Sequence, residues 1–179
     1  MPVDDRRWPG ETIFILYGII PNRKSQPIIA DWMGVRFLSG RFNAVLDFSD
    51  ILARTRLEQE KIPNQNKPFD KDRLKKMLPL AIAKGKDRMH ERRNAFEESI
   101  NVKLNAQLKE LDRLKKKQYD QLELDFVDAA PKSRILEKKQ QKQREIDHIF
   151  DEYWSWIENS LLTEDIPFIR VVAVLKGED

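Results

Sequence analysis

The side chains whose types and spacing could do chemistry in this sequence are cations. Lys84, Lys86, Arg88, Arg92 and Arg93 form one dense group, and Arg113, Lys115, Lys116 and Lys117 form a second. Lys132, Arg134, Lys138, Lys139, Lys142 and Arg144 follow, beginning within DAAPKS, a stretch that reads as a turn. Clustered lysine and arginine can neutralise successive phosphates, a salt-sensitive contact that ignores base sequence. The plainer reading is a solvated coiled-coil surface, where interleaved lysine and glutamate keep long helices soluble.

Catalysis has little to build on. No GxxxxGK(S/T) run and no Gly-rich dinucleotide fingerprint occur among only six glycines. His90 and His148 lack HExxH or HxH spacing, and no cysteine is present, so neither a metal nor a cofactor is expected. Glu97 with Glu98, and Asp151 with Glu152, are adjacent helical positions that point in different directions. No serine sits in a GxSxG context. The chain is therefore read as a non-enzyme. The aromatic group Tyr153, Trp154 and Trp156 reads as core or a docking face, with a binding platform as the other use. Trp8 could anchor an N-terminal arm or mark the join to an upstream domain.

The elements that must position these residues follow from periodicity. Thr12 to Ile20 and Ile28 to Phe37 read as two strands joined by a short Pro-punctuated connection, hence antiparallel, with Gly34 marking a bulge. Ile166 to Gly177 holds a third strand, near 167–175. Ser49 is read as the N-cap of a short amphipathic helix reaching about Lys61. Asp70 caps a long helix whose apolar positions run from Leu74 to Phe126 in steps of mostly three, four and seven. Pro79 is expected to kink or divide it, and Gly85 to weaken it. A second helix runs from about Lys132 to Leu162, which makes an antiparallel hairpin over about 70–162 with its tip near 127–133. Strands at both ends of the chain must meet in one sheet, since none is stable alone. The prediction is a single α+β domain over 1–179: a small antiparallel sheet of about three strands, a short helix and a long projecting helical hairpin. Phe150, Tyr153, Trp154 or Trp156, and Ile157 are expected near Ile13, Ile15 and Val172.

Composition sets the boundaries. Of 179 residues, 35% are charged, yet 33 basic and 30 acidic side chains leave a net charge of only +3. With 40% hydrophobic residues this argues against disorder, which needs low hydrophobicity together with high net charge. No stretch approaches the ~20 apolar residues of a membrane span, and the start of the chain has no apolar signal region. No membrane partner and a cytoplasmic setting are expected. The near-neutral total hides a polarity. Residues 70–120 carry fifteen basic and nine acidic side chains and residues 131–144 six and one, whereas residues 145–179 carry two and nine.

The order of parts then carries a resemblance. FILYGII and PIIADWMGVRF, a charged helical hairpin with Lys- and Arg-rich heptads, and the closing IPFIRVVAVLK span Thr12 to Gly177. This layout resembles the C-terminal region of bacterial Swi/Snf-type helicase-like ATPases, the group that includes the RNA-polymerase-associated ATPase and phage-defence helicases. The ATPase motifs of that family are absent, so no catalytic residue carries over. The resemblance implies a non-catalytic accessory module of a larger protein, with an upstream ATPase motor or RNA polymerase as partner and ATP hydrolysis belonging to the parent. In that reading the arm touches DNA or RNA through Lys84, Lys86, Arg88, Arg92, Arg93, Arg113, Lys115, Lys116, Lys117, Lys138, Lys139 and Lys142. The alternative is a stand-alone coiled-coil interaction protein, forming a homo-oligomer through the arm without a nucleic-acid role.

Overall fold

The computed structural model describes residues 10–55, 70–126 and 133–177. Its fold is α+β. In chain order it comprises β1 (Glu11–Pro21), β2 (Pro27–Leu38), β3 (Arg41–Asp47), α1 (Phe48–Thr55), α2 (Lys71–Phe126), α3 (Ser133–Leu161) and β4 (Phe168–Lys176). The strands form one antiparallel sheet in the order β3-β2-β1-β4. The chain divides into two compact units. One comprises Met1–Pro21, Ser25–Asn94 and Thr163–Asp179, and the other Asn22–Lys24 and Ala95–Leu162. The expected hairpin tip, near 127–133, falls almost wholly outside the described residues, as does the continuation of the short helix toward Lys61.

β1 is apolar on both faces because both faces are covered. On one, Ile13 and Ile15 pack with Ile51 of α1 and with Leu46, Phe48, Ala173 and Leu175. On the other, Leu16 and Met33 lie under α2 at Gly85, and Gly18 lies under Met89. Phe14 and Phe37 meet edge-to-face on that side with centroids 5.6 Å apart. The companions of Ile13 and Ile15 are thus residues of the sheet and α1. The aromatic group expected beside them is not core throughout: Tyr153 is 57% exposed and Trp156 60%.

A fourth strand, β3, joins the three expected. It turns back from β2 through Ser39 and Gly40, both at positive φ (48° and 83°), the signature of a two-residue hairpin whose twist matches its strands. Gly34 does not mark a bulge, since it pairs in register with Ile15 and Leu46. Its missing side chain makes room for Ile51, whose Cδ1 would lie 2.4 Å from an added Cβ. The register shifts fall elsewhere: at Ile28, where β2 leaves the connection from β1, and on the two edge strands. On those edges, Asn43 on β3 and Val172 on β4 are the residues skipped by the pairing register. A bulge twists an edge and blocks further pairing, so neither edge is a flat template for another strand.

α1 begins at Phe48, which places Ser49 inside the first turn and not at the cap. Asp70 does cap α2: its Oδ1 accepts the amides of Asp72 and Arg73, both at 3.0 Å. Those donors, Arg73 first, hold the Asp70 carboxyl below its usual value. Pro79 does not divide α2, which runs unbroken for 56 residues. Pro79 and Lys75 are exposed, so the carbonyl deprived of its i→i−4 donor can be hydrated.

In the second unit, α2 and α3 pack antiparallel, as Lys115 paired with Asp147 and Lys139 paired with Glu123 require. The covered positions of α2 are Leu104, Leu108, Leu111 and Lys115, then Tyr119, Leu122 and Phe126. Those steps of four, three and four repeat every eleven residues, not every seven. Eleven residues over three turns is close to the natural helical period, so the pair needs only a weak right-handed supercoil.

Gly34→Ala tests the close approach of α1. The added methyl meets Ile51 at 2.4 Å and Ile13 at 3.0 Å, both fully buried. Overpacking of this kind costs about 1–3 kcal/mol, and urea unfolding of the variant is expected to show that loss. A bulge glycine exposed to solvent would show almost none.

Candidate nucleic-acid interface

The first unit holds the cationic group at 84–93, and the structure gives most of it a partner. Arg88 donates through Nε to Asp31 at 2.8 Å and through a second nitrogen to Asp47, which binds β2 and β3 to α2. Arg92 reaches Asp31 at 3.1 Å and Asp47 at 3.8 Å. Hydrogen bonding to Arg88, reinforced by its charge, holds the Asp47 carboxyl below its usual value. Burial pulls Arg88 down, but its bonds to Asp31 and Asp47 outweigh this and leave it raised. Arg93 bonds Thr163 at 2.9 Å and pairs with Asp165. Lys84 pairs with Asp87 at 2.9 Å and lies 5.6 Å from the ring centroid of Phe42. These arginines act as latches across the sheet. Of the five expected phosphate contacts here, Lys86 is the one exposed and without a carboxylate among the described residues.

The second unit holds the other seven. Arg113 makes a two-pronged bond to Glu110, at 2.7 and 2.9 Å. Lys115 lies in the helix–helix seam, where its Nζ reaches Asp147 at 2.7 Å and Asp151 at 3.8 Å. Tyr119 donates its hydroxyl to the same Asp147 oxygen. These bonds depress the Asp147 carboxyl, Lys115 contributing most, and raise Lys115 and Tyr119. A polar cluster of this kind, set among Leu111, Leu122 and Phe126, favours one register of the two helices. Lys139 pairs weakly with Glu123 at 3.8 Å, and Lys142 lies 5.7 Å from the Phe126 ring centroid. Lys116, Lys117 and Lys138 are exposed and have no carboxylate partner among the described residues. The unit as a whole carries equal numbers of acidic and basic side chains. The basic arm of the sequence is thus a balanced hairpin on which particular lysines stand free.

Other chemistry is sparse. Among the described residues no group of histidines, cysteines or carboxylates is arranged to hold a metal ion. A hollow of about 310 Å³, open to solvent, is lined by Leu122, Lys142, Ile146 and Ile149 with neighbouring polar groups. No described helix is long and apolar enough to cross a membrane. Along α3, Ile149, Tyr153 and Trp156 are exposed, and Lys24 sits 5.3 Å from the Trp156 ring centroid.

One surface was not marked by the sequence patterns. On the α1 side of the sheet, Trp32 pairs with Tyr17 and Tyr17 with Arg170 in one cross-strand row. Ala30, Ile19 and Phe168 form the next row. Trp32 is 40% exposed and Phe168 65%. A rule of alternating faces could have found Tyr17 and Trp32. That α1 leaves them uncovered could not be read from the sequence.

Two measurements test these roles. Arg88→Met keeps the packing of the stem but removes the latch. Urea unfolding is expected to show a loss of about 1–2 kcal/mol, below the ~3–5 kcal/mol of a fully buried pair. Asp147 has a depressed carboxyl, so its contribution is present above its ordinary value of 3.8 and is lost as pH falls through the depressed one. Lys115 and Tyr119, both raised, contribute below 10.5 and 10.0 and lose that contribution as pH rises further. Thermal melts followed by helical circular dichroism should therefore fall less in Asp147→Asn than in the parent on acidification below 3.8.

Compared with protein-family models, with curated proteins and with solved structures, the chain matches none.

Proposed function

We propose that this chain is a non-catalytic, cytoplasmic nucleic-acid-binding module, the C-terminal accessory part of a helicase-like ATPase. Its hairpin contacts the phosphate backbone, and any ATP hydrolysis belongs to the motor that carries it. One observation supports the nucleic-acid part above the others: Lys116, Lys117 and Lys138 project into solvent with no carboxylate among the described residues to neutralise them. Exposed, unpaired lysines retain their full charge for a polyanion, whereas Lys115 and Arg113 are already engaged. The accessory role draws on the order of parts, strands followed by a charged hairpin and a closing strand, together with the lack of ATPase motifs in the sequence.

A contact made through lysines and phosphates reads no base sequence, so its affinity should be dominated by counterion release. Binding of a labelled DNA duplex, titrated across salt concentrations, is the direct test. The combined variant Lys116→Glu, Lys117→Glu, Lys138→Glu is expected to lose affinity by orders of magnitude at low salt. The slope of log affinity against log salt should shrink by about 0.9 for each phosphate that is no longer neutralised. An affinity and slope equal to the parent's would remove the hairpin from the interface.

A further inference from the structure

We propose that the open end of the sheet face, built from Trp32, Tyr17, Arg170 and Phe168, is a stacking site for single-stranded nucleic acid. This deepens the nucleic-acid reading and rests on it, but it concerns a different surface from the hairpin lysines.

The site exists because α1 starts part-way along the sheet and runs away from this end. β1 has 11 residues and so extends about 37 Å, at ~3.4 Å per residue. α1, the helix packed on this face, starts with Phe48 against Trp32 and runs from there toward Glu11, which Arg54 reaches at 3.3 Å. It covers Ile13 and Ile15. Beyond it, Tyr17 and Ile19 are the two residues of β1 that are not fully buried. The cross-strand rows then put Trp32 and Arg170 on either side of Tyr17, and Phe168 beside Ile19.

The chemistry of the exposed groups selects the occupant. Trp32 is braced by Tyr17, with centroids 4.9 Å apart, and by Phe48 at 5.4 Å, so it forms a fixed apolar wall. Phe168 presents a ring that is 65% exposed on the edge strand. Arg170 is exposed two residues away on the same face, and no carboxylate pairs with it among the described residues. Asp31, the nearest acidic residue in β2, points to the other face, where it is held by Arg88 and Arg92. Aromatic rings beside an unneutralised guanidinium suit a flat base joined to a phosphate: the ring stacks, and the cation takes the charge or stacks in turn. A duplex, with its bases already stacked on one another, cannot use such a platform. The edge bulge at Val172 disfavours the alternative of strand addition along β4.

The test uses the full chain and two labelled probes, an oligothymidine of about a dozen nucleotides, within the ~4–16 that single-strand-binding OB-folds cover, and a duplex of equal length. Fluorescence anisotropy reads both. Phe168→Ala is expected to weaken oligothymidine binding roughly tenfold, as loss of one base–ring stack should, and to leave duplex binding unchanged. Phe168→Tyr should restore it, and Arg170→Glu should weaken it. Phe168 is exposed enough that its truncation leaves the core intact. Oligothymidine affinity untouched by both Phe168→Ala and Arg170→Glu overturns the proposal, while the lysine-dependent duplex contact could still stand. Failure of both probes to bind overturns both readings. Self-association by light scattering that Phe168→Ala abolishes, without oligothymidine binding, assigns the face to a second copy of this chain and also overturns the proposal.

Discussion

The first unit depends on burying one central strand from both sides. β1 carries Ile13 and Ile15 on one face and Phe14 and Leu16 on the other, all at most 6% exposed. Each face needs a cover, and each cover must come close. Glycine is what permits that approach: at Gly34 for Ile51 of α1, and at Gly18 and Gly85 for α2, where an added Cβ would meet Met89 at 2.5 Å and Leu16 at 2.7 Å. Helix propensity alone would call for alanine at Gly85, by about 1 kcal/mol. The close approach of α2 to the sheet outweighs that preference. α1 starts beside Trp32 and runs toward Glu11, so the far end of its face stays open.

Electrostatics follow the same division of labour. The arginines beside the sheet do not wait for a ligand; they bind strands to a helix. Arg88 is 15% and Asp31 17% exposed at the side chain, so this pair is shielded from salt in a way that surface pairs are not. In the hairpin, Lys115, Tyr119 and Asp147 occupy a seam they share with Leu111, Leu122 and Phe126. Such a cluster gains less stability than apolar residues would, but it favours one register. The free lysines stand outside both arrangements. The charge left without a carboxylate partner therefore lies in a small subset of the cations, and net charge is a poor guide to it.

Much of the architecture was legible because it is local. A two-sided apolar run specified β1, one apolar face of alternating residues specified β2, Asp70 specified the start of α2, and the three- and four-residue steps specified two helices. β3 escaped notice because RFNAVLD is short and leads directly into α1; the Ser39-Gly40 pair was the available turn signal. Pro79 does not divide α2 because it lies on the exposed side, where water can take the place of the missing donor. Tyr153 and Trp156 misled because aromatic character does not reveal which helix face is covered.

The sequence by itself determined the fold class, the helical hairpin and the positions of all the cations, since periodicity and capping act within a few residues. The tertiary structure decided which of those cations remain free. Asp31 and Asp47 are 57 and 41 residues from Arg88 in the chain, yet both meet its guanidinium. Asp147 is 28 residues from Tyr119 and shares a seam with it. The tertiary structure also decided that Trp32 and Phe168 lie on the same open face, through a register that pairs the two ends of the chain. Charge neutralisation and exposure are properties of neighbours in space, and neighbours brought together by long-range pairing leave no periodic trace in the sequence.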